Sequence, residues 1–150
     1  MPDWHDVDGT YAHPDRPAVQ AWLDRYVEAW KSYDPEQIGE LFGADATYRY
    51  HPYDHDDEVM RGREAIVRDW VEPDGNASTR DATGTYDAHY EPFVVDGDRA
   101  VAIGTSSYWT DTTRSTLERI YYNVFLLRFD DDGRCVEFTE SFMKGPDTAS

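Results

Sequence analysis

An α+β domain, with a curved, mostly antiparallel sheet wrapped around about three helices, is what this sequence predicts, and three observations carry the prediction. The chain has 150 residues, 39% hydrophobic and 15% aromatic, enough for one sizeable core in one domain. Apolar residues recur at helical spacing only in its first half. From about residue 85 onward, apolar and polar residues alternate over long runs separated by turns of the Asp-Gly type, which favour hairpins. Strands that follow helices, rather than alternating with them, point to segregated layers.

Residues 1–16 are polar and broken by Gly9 and Pro14, yet hold Trp4 and Tyr11, so they read as an N-terminal arm that docks by its aromatics. Residues 17–146 form the domain and 147–150 a short tail. In "PAVQAWLDRYVEAWKSYD", Val19, Trp22, Leu23, Tyr26, Val27 and Trp30 recur every three or four residues, which predicts a helix whose first turn tolerates Pro17. Asp34 followed by Pro35 supplies a cap and a first-turn proline for a short second helix, "PEQIGELF". "DATYRY" alternates and suits a strand, while "HPYDHDDEVMRG" has no period and reads as a loop. "REAIVRDWV" restores helical spacing before "EPDGNASTRDATG" breaks it. Four long strands follow: "TYDAHYEPFVV", "RAVAIGTSSYW", "LERIYYNVFLLRF" and "RCVEFTESFM".

The third of these long strands is apolar on both faces. Ile120, Tyr122, Val124 and Leu126 lie on one side and Tyr121, Phe125, Leu127 and Phe129 on the other. One face packs on the helices and the second needs another cover, so a homodimer through the outer face of the sheet is expected.

Fourteen basic residues against 31 acidic ones give a formal charge of -17, which repels phosphate backbones and anionic membrane surfaces. Neither nucleic acid nor membrane is an expected partner. Cys135 is the only cysteine, so an intramolecular disulfide and a cysteine metal cluster are excluded, and a cytoplasmic location is expected. The first residues lack a basic start and an apolar run, and nowhere do 18 apolar residues stand together. No G-x-S-x-G elbow or phosphate-cradling loop is present, and no cofactor is expected.

"YRYHPYDHDDE", residues 48–58, is the one place where metal ligands gather: His51, Asp54, His55 and Asp57. Two imidazoles four apart converge only on a helix, and Pro52 with its unpatterned charges opposes one. A solvated acidic loop is the alternative, and no metal is expected. His89, within "TYDAHYE", reads as an exposed or core residue.

The runs "DRYVEAW", "DPEQIGELFGADATYRY", "GREAIVRDWV" and "DGRCVEFTESFM", taken with the order of elements, resemble the nuclear transport factor 2-like superfamily, which includes ketosteroid isomerases and SnoaL-like polyketide cyclases. The resemblance covers about residues 17–145. It implies a cone-shaped fold with an internal, mostly apolar pocket open at one end. Of the isomerases' three catalytic positions, the oxyanion-donor tyrosine is matched by Tyr26, the general base is replaced by Tyr50, and the protonated aspartic acid is replaced by Phe125. A phenol of pKa about 10 is no base at neutral pH, so the usual isomerase mechanism is not expected.

If Phe138 and Phe142 face the pocket, as the resemblance implies, Glu140 shares their face. A carboxylate there is a candidate acid/base, unless Arg119 holds it in an ion pair. Tyr48, Tyr50, Trp70, Tyr121, Asn123, Phe125, Phe138 and Phe142 are the candidate ligand contacts, Trp30 stands with Tyr26 as pocket or core, and His51 is placed at the rim by the resemblance. Two functions compete. One is a small-molecule-binding domain with an aromatic pocket for a hydrophobic ligand. The other is a cyclase, dehydratase or isomerase that uses Glu140 or His51 as acid/base and Tyr26 with Asn123 as oxyanion donors.

Overall fold

A computed structural model describes residues 14–55, 57–75 and 81–146. The arm residues Trp4 and Tyr11 and the tail at 147–150 lie outside that range. Three helices precede the long strands: α1 (Arg16–Ser32), α2 (Pro35–Leu41) and, after two short steps, α3 (Arg63–Val71). Asp15 caps α1 by accepting from the Ala18 N–H, and Asp34 caps α2 by accepting from the Glu36 N–H. Each cap satisfies an N–H that the first helical turn leaves without a partner. Pro17 and Pro35 sit in the first turns, where a missing N–H costs nothing.

Among the described residues six strands form one open sheet: β1 (Phe42–Arg49), β2 (Met60–Arg61), β3 (Tyr86–Asp96), β4 (Arg99–Trp109), β5 (Leu117–Phe129) and β6 (Cys135–Lys144). Their order is β2-β1-β6-β5-β4-β3. All neighbours are antiparallel except β1 and β6, which run parallel. The β2 strand falls inside the stretch expected to be loop. Two residues, Met60 and Arg61, pair with Tyr48 and Thr47 and close the edge beside β1.

The helices pack on one face of the sheet, and the aromatic residues of both layers fill the space between. Trp22 of α1 is wholly buried, with Tyr26, Phe42 and Phe129 at 5.6, 6.0 and 5.6 Å between ring centres. Its indole N–H donates to the Leu41 carbonyl at 3.0 Å, so burial leaves no orphan donor. On β5 the alternation is clean: Asn123, Phe125, Leu127 and Phe129 are buried, while Tyr122, Val124 and Leu126 are exposed. No helix among the described residues is long and apolar enough to cross a membrane.

Candidate functional site

A cavity of about 120 Å³ lies between the helices and the sheet. Helix α1 contributes Tyr26 and Trp30, one turn apart on the same face. Five of the six strands contribute: Tyr48 and then Tyr50 from β1 and its end, Tyr86 and Tyr90 from β3, Ser106 and Tyr108 from β4, Tyr121 from β5, and Glu140 and Phe142 from β6. Seven phenols, one serine and one carboxylate therefore face a single small space.

The layer beneath is fully buried. Phe138 stacks under Tyr48 at 4.3 Å and under Tyr26 at 5.6 Å. Trp70 stands edge-on to Tyr26 and to Trp30, and Phe125 lies against Tyr26, Tyr90 and Phe138. Trp70, Phe125 and Phe138 thus support the wall and do not line the cavity. The reason is depth: strand alternation assigns a face but not how far along that face a side chain is covered. Phe142, four residues beyond Phe138, is 40% exposed and stands at the mouth.

Burial fixes the protonation of the phenols. It pushes Tyr26, Tyr48, Tyr50, Tyr86 and Tyr108 well above their ordinary range and Tyr90 up to about 12. All six stay neutral at physiological pH and act as hydrogen-bond donors. Tyr50 spends its proton on Asp69 of α3, at 2.7 Å, so it is neither a base nor a free donor. The Tyr26 and Tyr48 hydroxyls lie 3.4 Å apart.

Glu140 is the only carboxylate that lines the cavity among the described residues. It is half-buried, and burial alone lifts its pKa from 4.5 to about 7. Among the described residues no cation is paired with it. Arg119 turns away, held by Asp81 at 2.9 Å and by Glu118, with its guanidinium 4.0 Å over the Tyr108 ring.

The opening loop of the acidic stretch is a tied turn. One Asp54 oxygen accepts from the Tyr50 and His51 backbone N–H groups, each at 3.1 Å, and the other lies 3.0 Å from His51 Nδ1. The His51 ring stacks on Tyr53 and lies against Phe142, placing it at the mouth without a place in the cavity wall. The ligand atoms of His51, Asp54 and His55 do not converge within reach of one ion. The one cluster that does so among the described residues is Asp130, Asp131 and Asp132 in the β5–β6 hairpin.

Asn123 faces inward on β5, two residues from Tyr121, and does not line the cavity. Its amide donates to the Tyr90 hydroxyl at 3.0 Å and to Ser106 Oγ at 3.1 Å. Tyr86, Tyr90, Ser106 and Tyr108 were not singled out by the sequence, where inward-facing aromatics look like any core. The available signal was Tyr86 and Tyr90, four apart on one strand; His89 between them is exposed on the other face.

A family model described as a SnoaL-like domain matches residues 23–138. No curated protein sequence matches the chain. Among solved structures, an NTF2-like protein with a cystatin-like fold from Novosphingobium aromaticivorans superposes with a TM-score of 0.61 at 23% identity, covering 88% of this chain and 84% of the other. A protein from Kribbella flavida DSM 17836 described provisionally as a ketosteroid isomerase gives 0.60 at 16% identity, covering 91% and 85%. A LEH-like epoxide hydrolase of M. tuberculosis gives 0.56 at 12%, covering 87% and 86%. At these identities the likeness carries the fold and no chemistry.

Proposed function

The chain belongs to the SnoaL-like domain family, within the nuclear transport factor 2-like superfamily, and we propose that it is an acid/base catalyst of small, uncharged carbonyl compounds, with Glu140 moving the proton. The observation that supports this reading is one carboxylate, without a cation among the described residues, opening on a cavity ringed by protonated phenols. A pocket that only binds gains nothing from a buried carboxylate whose ionisation its surroundings oppose. A catalyst gains a group that is half-ionised near neutral pH, where proton transfer in either direction is easiest.

Size narrows the substrate. A volume of about 120 Å³ is close to the roughly 150 Å³ that holds one benzene ring. That bounds the substrate at about one six-membered ring and leaves a fused multi-ring skeleton larger than the space. In the proposed step ionised Glu140 takes a proton from the carbon beside the carbonyl. The C–H electron pair becomes the new C=C bond, and the carbonyl π pair moves to oxygen, where a phenol O–H stabilises it. Glu140 then returns the proton to carbon.

Exchange of the α-hydrogens of cyclohexanone in D₂O, followed by NMR, tests this. The protein-dependent rate is expected to rise with pH through about 7, as Glu140 ionises, and to level above it. Absence of protein-dependent exchange between about pH 5 and pH 9 would remove the proposal.

We also propose that the outer face of the sheet pairs with a second copy of the chain. Tyr122, Val124, Leu126 and Met143 are 52%, 37%, 46% and 72% exposed on one side of adjacent strands. Light scattering after size exclusion is expected to return a dimer, and Val124→Asp with Leu126→Asp a monomer. A wild-type monomer at micromolar concentration would contradict it.

A further inference from the structure

We propose that Tyr90 is the donor that holds the substrate's carbonyl oxygen, and that Asn123 is a positioning residue that aims the Tyr90 hydroxyl into the cavity without meeting substrate. This rests on the acid/base reading of the cavity and names the other half of its machinery.

The Asn123 amide decides the direction of the hydrogen bonds around it. Its NH₂ group reaches Tyr90 and Ser106, while its Oδ1 is buried without a partner. Turned the other way, the amide would bury two unpaired N–H donors in place of one unpaired acceptor, which costs more. An amide N–H only donates, so the Tyr90 and Ser106 oxygens accept from it and keep their own protons for other partners. Ser106 and Tyr86 also bond the Tyr90 side chain. The phenol oxygen can accept from two of these three neighbours, so the Asn123 amide, which can only donate, fixes one lone pair and leaves the Tyr90 O–H to the cavity or to the remaining neighbour.

Among the other phenols, Tyr50 donates to Asp69 and Tyr26 and Tyr48 face each other; Tyr108 accepts one bond from Trp30 and keeps its proton, but lacks the amide that fixes the Tyr90 hydroxyl. Backbone geometry makes the arrangement possible. Tyr90, Gly104 and Asn123 form one rung across β3, β4 and β5. With no side chain on Gly104, the Asn123 amide reaches across β4 to the Tyr90 hydroxyl. The unpaired Oδ1 is the sign that Asn123 serves its neighbours rather than its own hydrogen-bonding.

The test uses cyclohexanone labelled with ¹³C at the carbonyl, read both by α-exchange and by the carbonyl resonance of the bound ketone. Tyr90→Phe is expected to slow exchange about 100-fold, as loss of one oxyanion donor does, and to move the bound resonance upfield. The pH limb near 7 stays, because it belongs to Glu140. Asn123→Leu is expected to slow exchange about tenfold with KM unchanged, and to add nothing in the Tyr90→Phe background, as for two residues acting as one unit.

A bound resonance that is the same in wild type and Tyr90→Phe overturns the assignment, as does a larger movement in Tyr26→Phe. Loss of exchange in Glu140→Gln with Tyr90→Phe unaffected overturns it too and leaves the base standing. A resonance that responds to Tyr90→Phe while exchange ignores Glu140→Gln supports the donor and removes the base. No bound resonance at all overturns both.

Discussion

Glu140→Gln is expected to slow α-exchange by about 10²- to 10⁴-fold and, at pH 8, to make the protein more stable than wild type. Burial raises the folded-state pKa of Glu140 from 4.5 to about 7. Between these values the folded protein holds more protons than the unfolded chain, so wild-type stability falls as pH rises through that window. The fall is complete above the folded pKa, with an upper figure of about 3 kcal/mol, reduced by water at the cavity mouth. Glutamine has no proton to lose and escapes the penalty. Thermal melts of the two proteins should coincide at pH 4 and separate by pH 8. The variant should then melt about 3 to 8 °C higher, the shift that one to a few kcal/mol gives a domain of this size. Wild type melting at or above the variant at pH 8 would mean that Glu140 is solvated or paired, and the acid/base assignment would go with it. Higher stability with lost activity is what a group kept for chemistry rather than folding produces.

The parts of the fold that were legible are those whose signal is local. The α1 stripe, the Asp34 cap and the Asp-Gly-type turns each act within a few residues, and the elements stand where those signals put them; the Asp15 cap, within the stretch read as an arm, was not anticipated. The two-residue β2 is too short to alternate, and the parallel pairing of β1 with β6 joins residues about 90 apart, so no local pattern announces either. Glu140 was singled out because the resemblance implied that Phe138 and Phe142 face the pocket and a strand's period of two ties it to them. The same rule could not say that Phe138 lies under the cavity wall and Phe142 at the mouth. Pro52 rightly argued against a helix that would join His51 to His55, but not for the turn that Asp54 holds together. The Tyr90 network was out of reach because it spans three strands and is visible only once their register is known.

That register places the second large effect at a residue with no chemistry of its own. Gly104→Ala is expected to destabilise the protein by about 3 kcal/mol or more, beyond the usual cost of overpacking, and to lower the melting temperature by about 6 to 12 °C. A Cβ there would lie 2.1 Å from the His89 carbonyl oxygen and 2.7 Å from Tyr90 Cα. Both are backbone atoms of the adjacent strand, so no rotamer change relieves the clash, and β3 must move away from β4. Glycine inside a strand ordinarily weakens it, which makes its presence on this rung a packing requirement. Displacing β3 also carries the Tyr90 hydroxyl away from Asn123. Gly104→Ala should therefore lose exchange activity even at temperatures where circular dichroism shows it folded. Ala102→Gly, one inward position along the same strand, should cost only about 1 kcal/mol, the order expected from backbone entropy and one lost methyl, with activity kept. Equal losses of activity in the two variants would show that the strand as a whole, and not the Tyr90–Gly104–Asn123 rung, supports the site.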